Sequence, residues 1–348
     1  MEEQITQLFE SIAEIHTAAI WGIMVVSIVV LGKSADWMVD NAVSLSLRTG
    51  IPKVIVGATI VSIGTTFPEA VVSVLAAVNG HSEIALGNAV GSIICDTGLV
   101  LGTACLIAPL PLNRRIVNRQ GWIQFGSGVL LVMLSLPYTN PGNIFTTNSS
   151  LPQWAGFVLI TCLIIYMIWS VRLARGATDD DEPEAAADSP VVLMLLSILC
   201  GCFFVVLSSI GLIECTKIIA VKAGIPKAVI AATLVAFGTS LPELVTAITA
   251  VRKGQGALAV GNVIGADILN ALFVAGAAAA VTPAGLDVIP IFFQLQFPAM
   301  LLILLCFRAG IVRASWSKTD TLTRPFGAVL LAFYLTYCAL TLSMGGGV

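Results

Sequence analysis

Residues 50–102 read GIPKVIVGATIVSIGTTFPEAVVSVLAAVNGHSEIALGNAVGSIICDTGLVLG, and residues 224–276 read GIPKAVIAATLVAFGTSLPELVTAITAVRKGQGALAVGNVIGADILNALFVAG. The two stretches align without a gap at a constant offset of 174, and 21 of their 53 pairs are identical. Unrelated apolar helices match in hydrophobicity alone. These also match at Gly64 and Gly238, Pro68 and Pro242, Glu69 and Glu243, and Asn88 and Asn262. A repeat of this length divides the chain into two halves built on one pattern.

The composition says where those halves reside. Of 348 residues, 57% are apolar and only 11% are charged, against roughly 25% charged in an average soluble domain. So little charge cannot cover a soluble fold, and so much apolar surface excludes disorder. The chain reads as an integral membrane protein whose surroundings are the lipid bilayer. A net charge of -3 gives no footprint for a nucleic-acid partner. Glu2 and Glu3 stand where a signal peptide would be basic, so no cleaved leader is expected. The eight cysteines are scattered, mostly in apolar runs, without metal-ligand spacing, and read as packing residues.

At about 20 apolar residues per spanning helix, ten spans are expected. They are 16–38, 54–78, 83–107, 121–137, 152–172, 190–213, 228–251, 257–281, 288–307 and 325–344. Runs this long are helices, not barrel strands. The expected fold is all-α, with ten transmembrane helices as two five-helix repeats, 1–176 and 190–348, joined by an acidic linker at 177–189. Five is odd, so the second repeat enters the membrane inverted. The loops following odd-numbered spans hold 14 of the 17 basic residues; only Lys217, Lys222 and Lys227 lie opposite. This places the odd loops in the cytoplasm and both termini outside, in a plasma or inner membrane. Inverted repeats are the architecture of many secondary transporters, with sites near the midplane where the copies meet.

Glu69 and Glu243 fall deep inside spans 2 and 7. A carboxylate there costs at least about 2.5 kcal/mol, and packing does not require it. Pro68 and Pro242 cannot donate to the carbonyls of Gly64 and Gly238, so breaks are expected that free those oxygens. Thr65 and Thr239 sit one turn earlier on the same face. Hydroxyl, carbonyl and carboxylate oxygens together suit a hard cation. Spans 3 and 8 add Asn88, Ser92 and Asp96, matched by Asn262, Ala266 and Asn270, while Gly87, Gly91, Gly261 and Gly265 permit close helix approach. Two bidentate glutamates and two carbonyls supply about six oxygens, within the range calcium takes. With Asp96, three charges could hold one divalent ion or several monovalent ions in turn, and mutually exclusive occupancy is a basis for exchange.

With GTTFPE, GTSLPE and the two GNxxG segments, the sequence resembles the sodium/calcium exchanger family within the wider calcium/cation antiporters. The resemblance implies sodium-driven calcium transport by alternating access, with Ca2+ and Na+ as transported ions. It implies no cofactor, no enzymatic activity and no obligate protein partner. Glu69 and Glu243 match the family's paired glutamates. Thr65, Thr66, Thr239 and Ser240 match its hydroxyl and carbonyl ligands, and Ser92, Asp96 and Asn270 its polar positions on the third and eighth helices. Spans 1 and 6 match the gating pair. The chain also departs from the pattern. Ala266 lacks a hydroxyl, Asp96 and Asn270 read as an exchange of acid and amide, and Asp267 is an additional intramembrane acid. These departures leave sodium, proton or potassium coupling open, and a passive cation channel remains the reading from another class. Asp40 and Glu214, also 174 apart, read as solvated helix-end charges, with an ion-entry vestibule as the alternative. His16 and His81 are isolated, and Asn148-Ser149-Ser150 fits a glycosylation sequon.

Overall fold

The computed structural model describes residues 17–138, 144–174, 190–222, 238–316 and 320–345. The acidic linker 177–189, His16 and the start of the second motif copy, 224–237, lie outside the described residues. The helices are α1 (Thr17–Thr49), α2 (Lys53–Val78), α3 (Ser82–Ile107), α4 (Arg114–Leu134), α5 (Gln153–Ala174), α6 (Val191–Lys222), α7 (Leu241–Arg252), α8 (Gly256–Val281), α9 (Phe292–Trp316) and α10 (Arg324–Gly345). Among the described residues, eight of these are long and apolar enough to cross a membrane. α4 falls outside that set because Asn118, Arg119, Gln120 and Gln124 leave no stretch of spanning length in it apolar enough. α7 falls outside because its 12 residues are too few to cross a membrane.

The two motif copies share their punctuation. Gly80 (φ 84°) separates α2 from α3, and Gly254 (φ 72°) separates α7 from α8. Only glycine adopts that left-handed conformation freely, so one residue type at one offset turns both hairpins. α3 and α8 each contain one π-helical turn, at Asp96–Val100 and Asn270–Val274. Such turns insert a residue into the helical ladder and re-aim the side chains that follow.

Short antiparallel strands tie the connections. β1 (Leu110–Pro111) pairs with β4 (Thr321–Leu322), and β2 (Ser149–Leu151) pairs with β3 (Leu286–Val288). Burial is centred on α8, 89% of whose apolar window lies inside the protein, against 17% for α10. α8 reaches that position because it carries almost no bulk on one face. A Cβ at Gly261 would lie 2.8 Å from the Val54 Cα and closer still to its carbonyl oxygen, and one at Gly265 would lie 2.5 Å from the Ala58 Cα. α2 and α8 therefore cross backbone to backbone, a small-residue crossing of the kind that holds membrane helices together by packing.

Two expectations are corrected. The helix containing Pro68 is not broken there: Ser62–Val78 is continuous, and its irregularity is a π-turn at Gly57–Val61, upstream. A proline removes one ladder bond, and a well-packed helix continues around it. In the second copy the break occurs, with a turn at Thr239–Ser240 and a helix that starts at Leu241 with Pro242 in its first turn. α1 and α6 extend to Thr49 and Lys222, so Asp40 and Glu214 are not helix-end charges. Each has a lysine partner at 2.7 Å: Lys253, just past the end of α7, on Asp40, and Lys217 on Glu214, within α6.

Candidate cation-binding site

Four buried carboxylates lie in the interior where α2, α3, α7 and α8 come together. Glu69, Glu243, Asp96 and Asp267 are all at most 1% exposed. Glu69 and Glu243 sit on the helix turns beginning at Pro68 and Pro242, and the copies bring them together from opposite halves. Thr66 Oγ1 donates to Glu243 Oε1 at 3.4 Å, so the hydroxyl of the first motif reaches the acid of the second. The carboxylates also act on one another: Glu69 feels the charges of Glu243 and Asp96, and Asp96 those of Glu243 and Asp267.

Asp96 and Asn270 open the two π-turns and are partners across the repeat, the Asn270 Nδ2 donating to Asp96 Oδ2 at 3.4 Å. The exchange of acid and amide seen in the sequence is thus an exchange between two groups in direct contact. Asn88 links the layers. Its Nδ2 donates to the Glu69 carbonyl (3.3 Å) and to Ser73 Oγ (3.0 Å), while its Oδ1 accepts from Thr239 Oγ1 at 3.5 Å. Thr65, Ser92 and Ser240 are buried beside them, and Thr239 is half-buried. Thr65 Oγ1 donates to the Ser62 carbonyl at 3.4 Å.

Many of these oxygens have no partner among the described residues: Glu69 Oε2, Glu243 Oε2, Asp96 Oδ1, Asn270 Oδ1 and the hydroxyls of Ser240 and Thr246 are buried without a hydrogen bond there. A buried polar atom without a hydrogen bond is rare and costs about 1–3 kcal/mol, more when it is charged. A dehydrated cation satisfies such oxygens at once. Among the described residues no three Asp, Glu, His or Cys side chains gather closely enough to hold a metal ion by themselves. Any cation here must therefore draw on hydroxyl, amide and carbonyl oxygens as well, which is the donor set of hard ions.

Asp267 is placed differently from the other acids. Its Oδ2 accepts from Thr97 Oγ1 and from Gln124 Nε2, each at 2.5 Å, and its Oδ1 has no partner among the described residues. It turns toward α4 and the π-turn of α3 and neighbours Asp96. Gln124, Thr97 and Thr246 were not singled out in the sequence. For Gln124 a signal was available: Gln120, Gln124 and Ser127 form one buried polar face on α4, at spacings of four and three.

A family model described as sodium/calcium exchanger protein matches residues 19–172 and 193–343. The chain is 30% identical over 328 residues to inner membrane protein YrbG of Escherichia coli (strain K12), covering 91% of this chain and 95% of that one. It is 27% identical over 348 residues to the sodium/calcium exchanger MaX1 of Methanosarcina acetivorans, covering 90% and 96%. The fold superposes on the sodium-calcium exchanger NCX_Mj with a TM-score of 0.76 at 25% identity, over 93% of this chain and 99% of that one.

Proposed function

The chain belongs to the sodium/calcium exchanger family, and from that premise we propose that it is a secondary antiporter exchanging sodium for calcium by alternating access. It is a multi-pass membrane protein of the cation/calcium exchanger kind. In this reading the paired glutamates Glu69 and Glu243 bind calcium, helped by Thr65, Thr66, Thr239 and Ser240. Sodium occupies overlapping positions that include Ser92, Asp96 and Asn270, with Asp267 at their edge. Overlap makes occupancy exclusive, and exclusive occupancy couples the two fluxes. The observation that carries the reading is the cross-repeat contact of Thr66 with Glu243, in a buried cluster where one oxygen of each carboxylate has no hydrogen bond among the described residues.

The ten-span inverted layout, the cytoplasmic odd loops and the external termini belong to the same proposal. Support comes from the 174-residue pairing of Asp96 with Asn270. It comes also from the strand pairs, which join the connection after α3 to that before α10 and the connection before α5 to that after α8. α1 and α6, packed together over much of their length, form the pair that moves over the core. Gly201 and Gly211 of α6 approach Met38 and Ser27 of α1 closely.

The test is radioactive calcium uptake into sodium-loaded proteoliposomes diluted into sodium-free buffer at fixed pH. Uptake that requires internal sodium and is lost in both Glu69→Gln and Glu243→Gln is expected. Near-normal flux in both variants refutes the site. A second reading, calcium flux driven by a proton gradient, is favoured by one specific feature, the additional buried acid Asp267. Uptake that ignores sodium and follows an imposed pH gradient selects it.

A further inference from the structure

A second, unrelated polar feature lies on the seam between α4 and α9. Arg308 of α9 is 4% exposed and turns onto α4. It donates through Nη1 to the Asn118 carbonyl (3.3 Å) and through Nη2 to Asn118 Oδ1 (2.6 Å), and its guanidinium stacks 4.4 Å from the centre of the Trp122 ring. Gly121 makes room for it, since a Cβ there would lie 3.2 Å from Nη1. These partners are neutral. The Nε is buried without a partner, and among the described residues no carboxylate pairs with Arg308. A guanidinium inside a membrane protein without a counter-charge is costly and calls for an anion.

The surroundings say which anion. Asn118 lies four residues into α4, about 6 Å along the helix from its start. Arg115 and Arg119 are exposed on the same turns and have no ion-pair partner among the described residues. Arg114, by contrast, is paired with Asp320, and Arg324 donates to the Ile107 carbonyl. One turn deeper, Trp122 is 57% exposed. Unpaired arginines over an exposed tryptophan are the order of groups met at a bilayer surface, headgroup phosphate above and the aromatic belt below. An arginine fork also matches phosphate oxygens in pairs.

We propose that the α4–α9 seam binds the headgroup of an anionic phospholipid, with Arg308 at its floor and Arg115 and Arg119 at its rim. The site is separate from the carboxylate cluster and does not depend on which ions are exchanged. Trp122 supplies its own probe. The protein is reconstituted in vesicles containing equal fractions of brominated phosphatidylglycerol or brominated phosphatidylcholine, and the Trp122 contribution is isolated by difference from Trp122→Phe. The expected result is stronger quenching by the brominated phosphatidylglycerol. That preference falls roughly fivefold for each arginine removed, in Arg308→Gln and in the exposed pair Arg115→Gln and Arg119→Gln. Equal quenching by the two lipids, or an undiminished preference in both variants, overturns the proposal. So does loss of the preference on adding inorganic phosphate but not chloride at matched ionic strength, since that identifies a site for soluble phosphate. The rim variants keep the test decisive if Arg308→Gln fails to fold.

Discussion

Replacing Gly261 with alanine would put a methyl group where the backbone of α2 already lies. The added carbon would stand 2.8 Å from both the Cα and the carbonyl carbon of Val54, and nearer still to its oxygen. No rotamer change relieves a clash with backbone, so the two helices must separate. Overpacking of this kind costs about 1–3 kcal/mol, and the contact atoms favour the upper end. Alanine returns about 1 kcal/mol of helix propensity relative to glycine. The net loss is about 2 kcal/mol, which lowers the midpoint of thermal unfolding by roughly 3 °C at this chain length. The same separation carries Thr66 away from Glu243, already at 3.4 Å, so calcium exchange falls by more than stability alone explains. The assay is thermal unfolding of the detergent-purified protein, paired with calcium uptake in proteoliposomes. Gly32→Ala is the control, because a Cβ at that exposed position meets nothing within 4 Å among the described residues; the propensity gain stands alone there, and stability holds or rises. A Gly261→Ala protein as stable and as active as the parent would refute the backbone-to-backbone crossing of α2 and α8.

Two further outcomes concern the polar cluster. Because Asp96 and Asn270 are hydrogen-bonded partners, Asp96→Asn alone should weaken sodium-dependent exchange at least tenfold, while the double swap Asp96→Asn with Asn270→Asp restores much of it. A double variant no better than the single one, with the protein folded, shows that the two positions are not equivalent. Asp267→Asn keeps an acceptor for Thr97 and Gln124 but removes the charge, so calcium affinity should change less than tenfold while the sodium dependence of exchange becomes less steep. An unchanged sodium dependence removes Asp267 from the ion sites.

The sequence alone determined the membrane class, because 11% charge admits no soluble surface. It also determined the repeat and with it the identity of the buried acids, since a glutamate recurring at one offset inside two apolar runs is visible without coordinates. It located most helix ends within a few residues, because Gly80 and Gly254 punctuate both copies. It did not determine which way each polar side chain faces. A soluble helix reveals its buried face by an apolar stripe, but a helix apolar all round carries no such period. Hence the sequence left open whether Asp267, three residues before Asn270, faces the cavity or a neighbouring helix, and only the packing of α4 turned it toward Gln124 and Thr97. The π-turns at Asp96 and Asn270 were equally hidden, because nothing in an apolar run marks an inserted residue. Pro68 misled for a related reason: the missing hydrogen bond is local and legible, whereas the packing that keeps Ser62–Val78 continuous comes from other helices. Arg308 is the clearest case. Its charge is plain in the sequence, but its neutral partners on α4 exist only once α4 and α9 lie side by side.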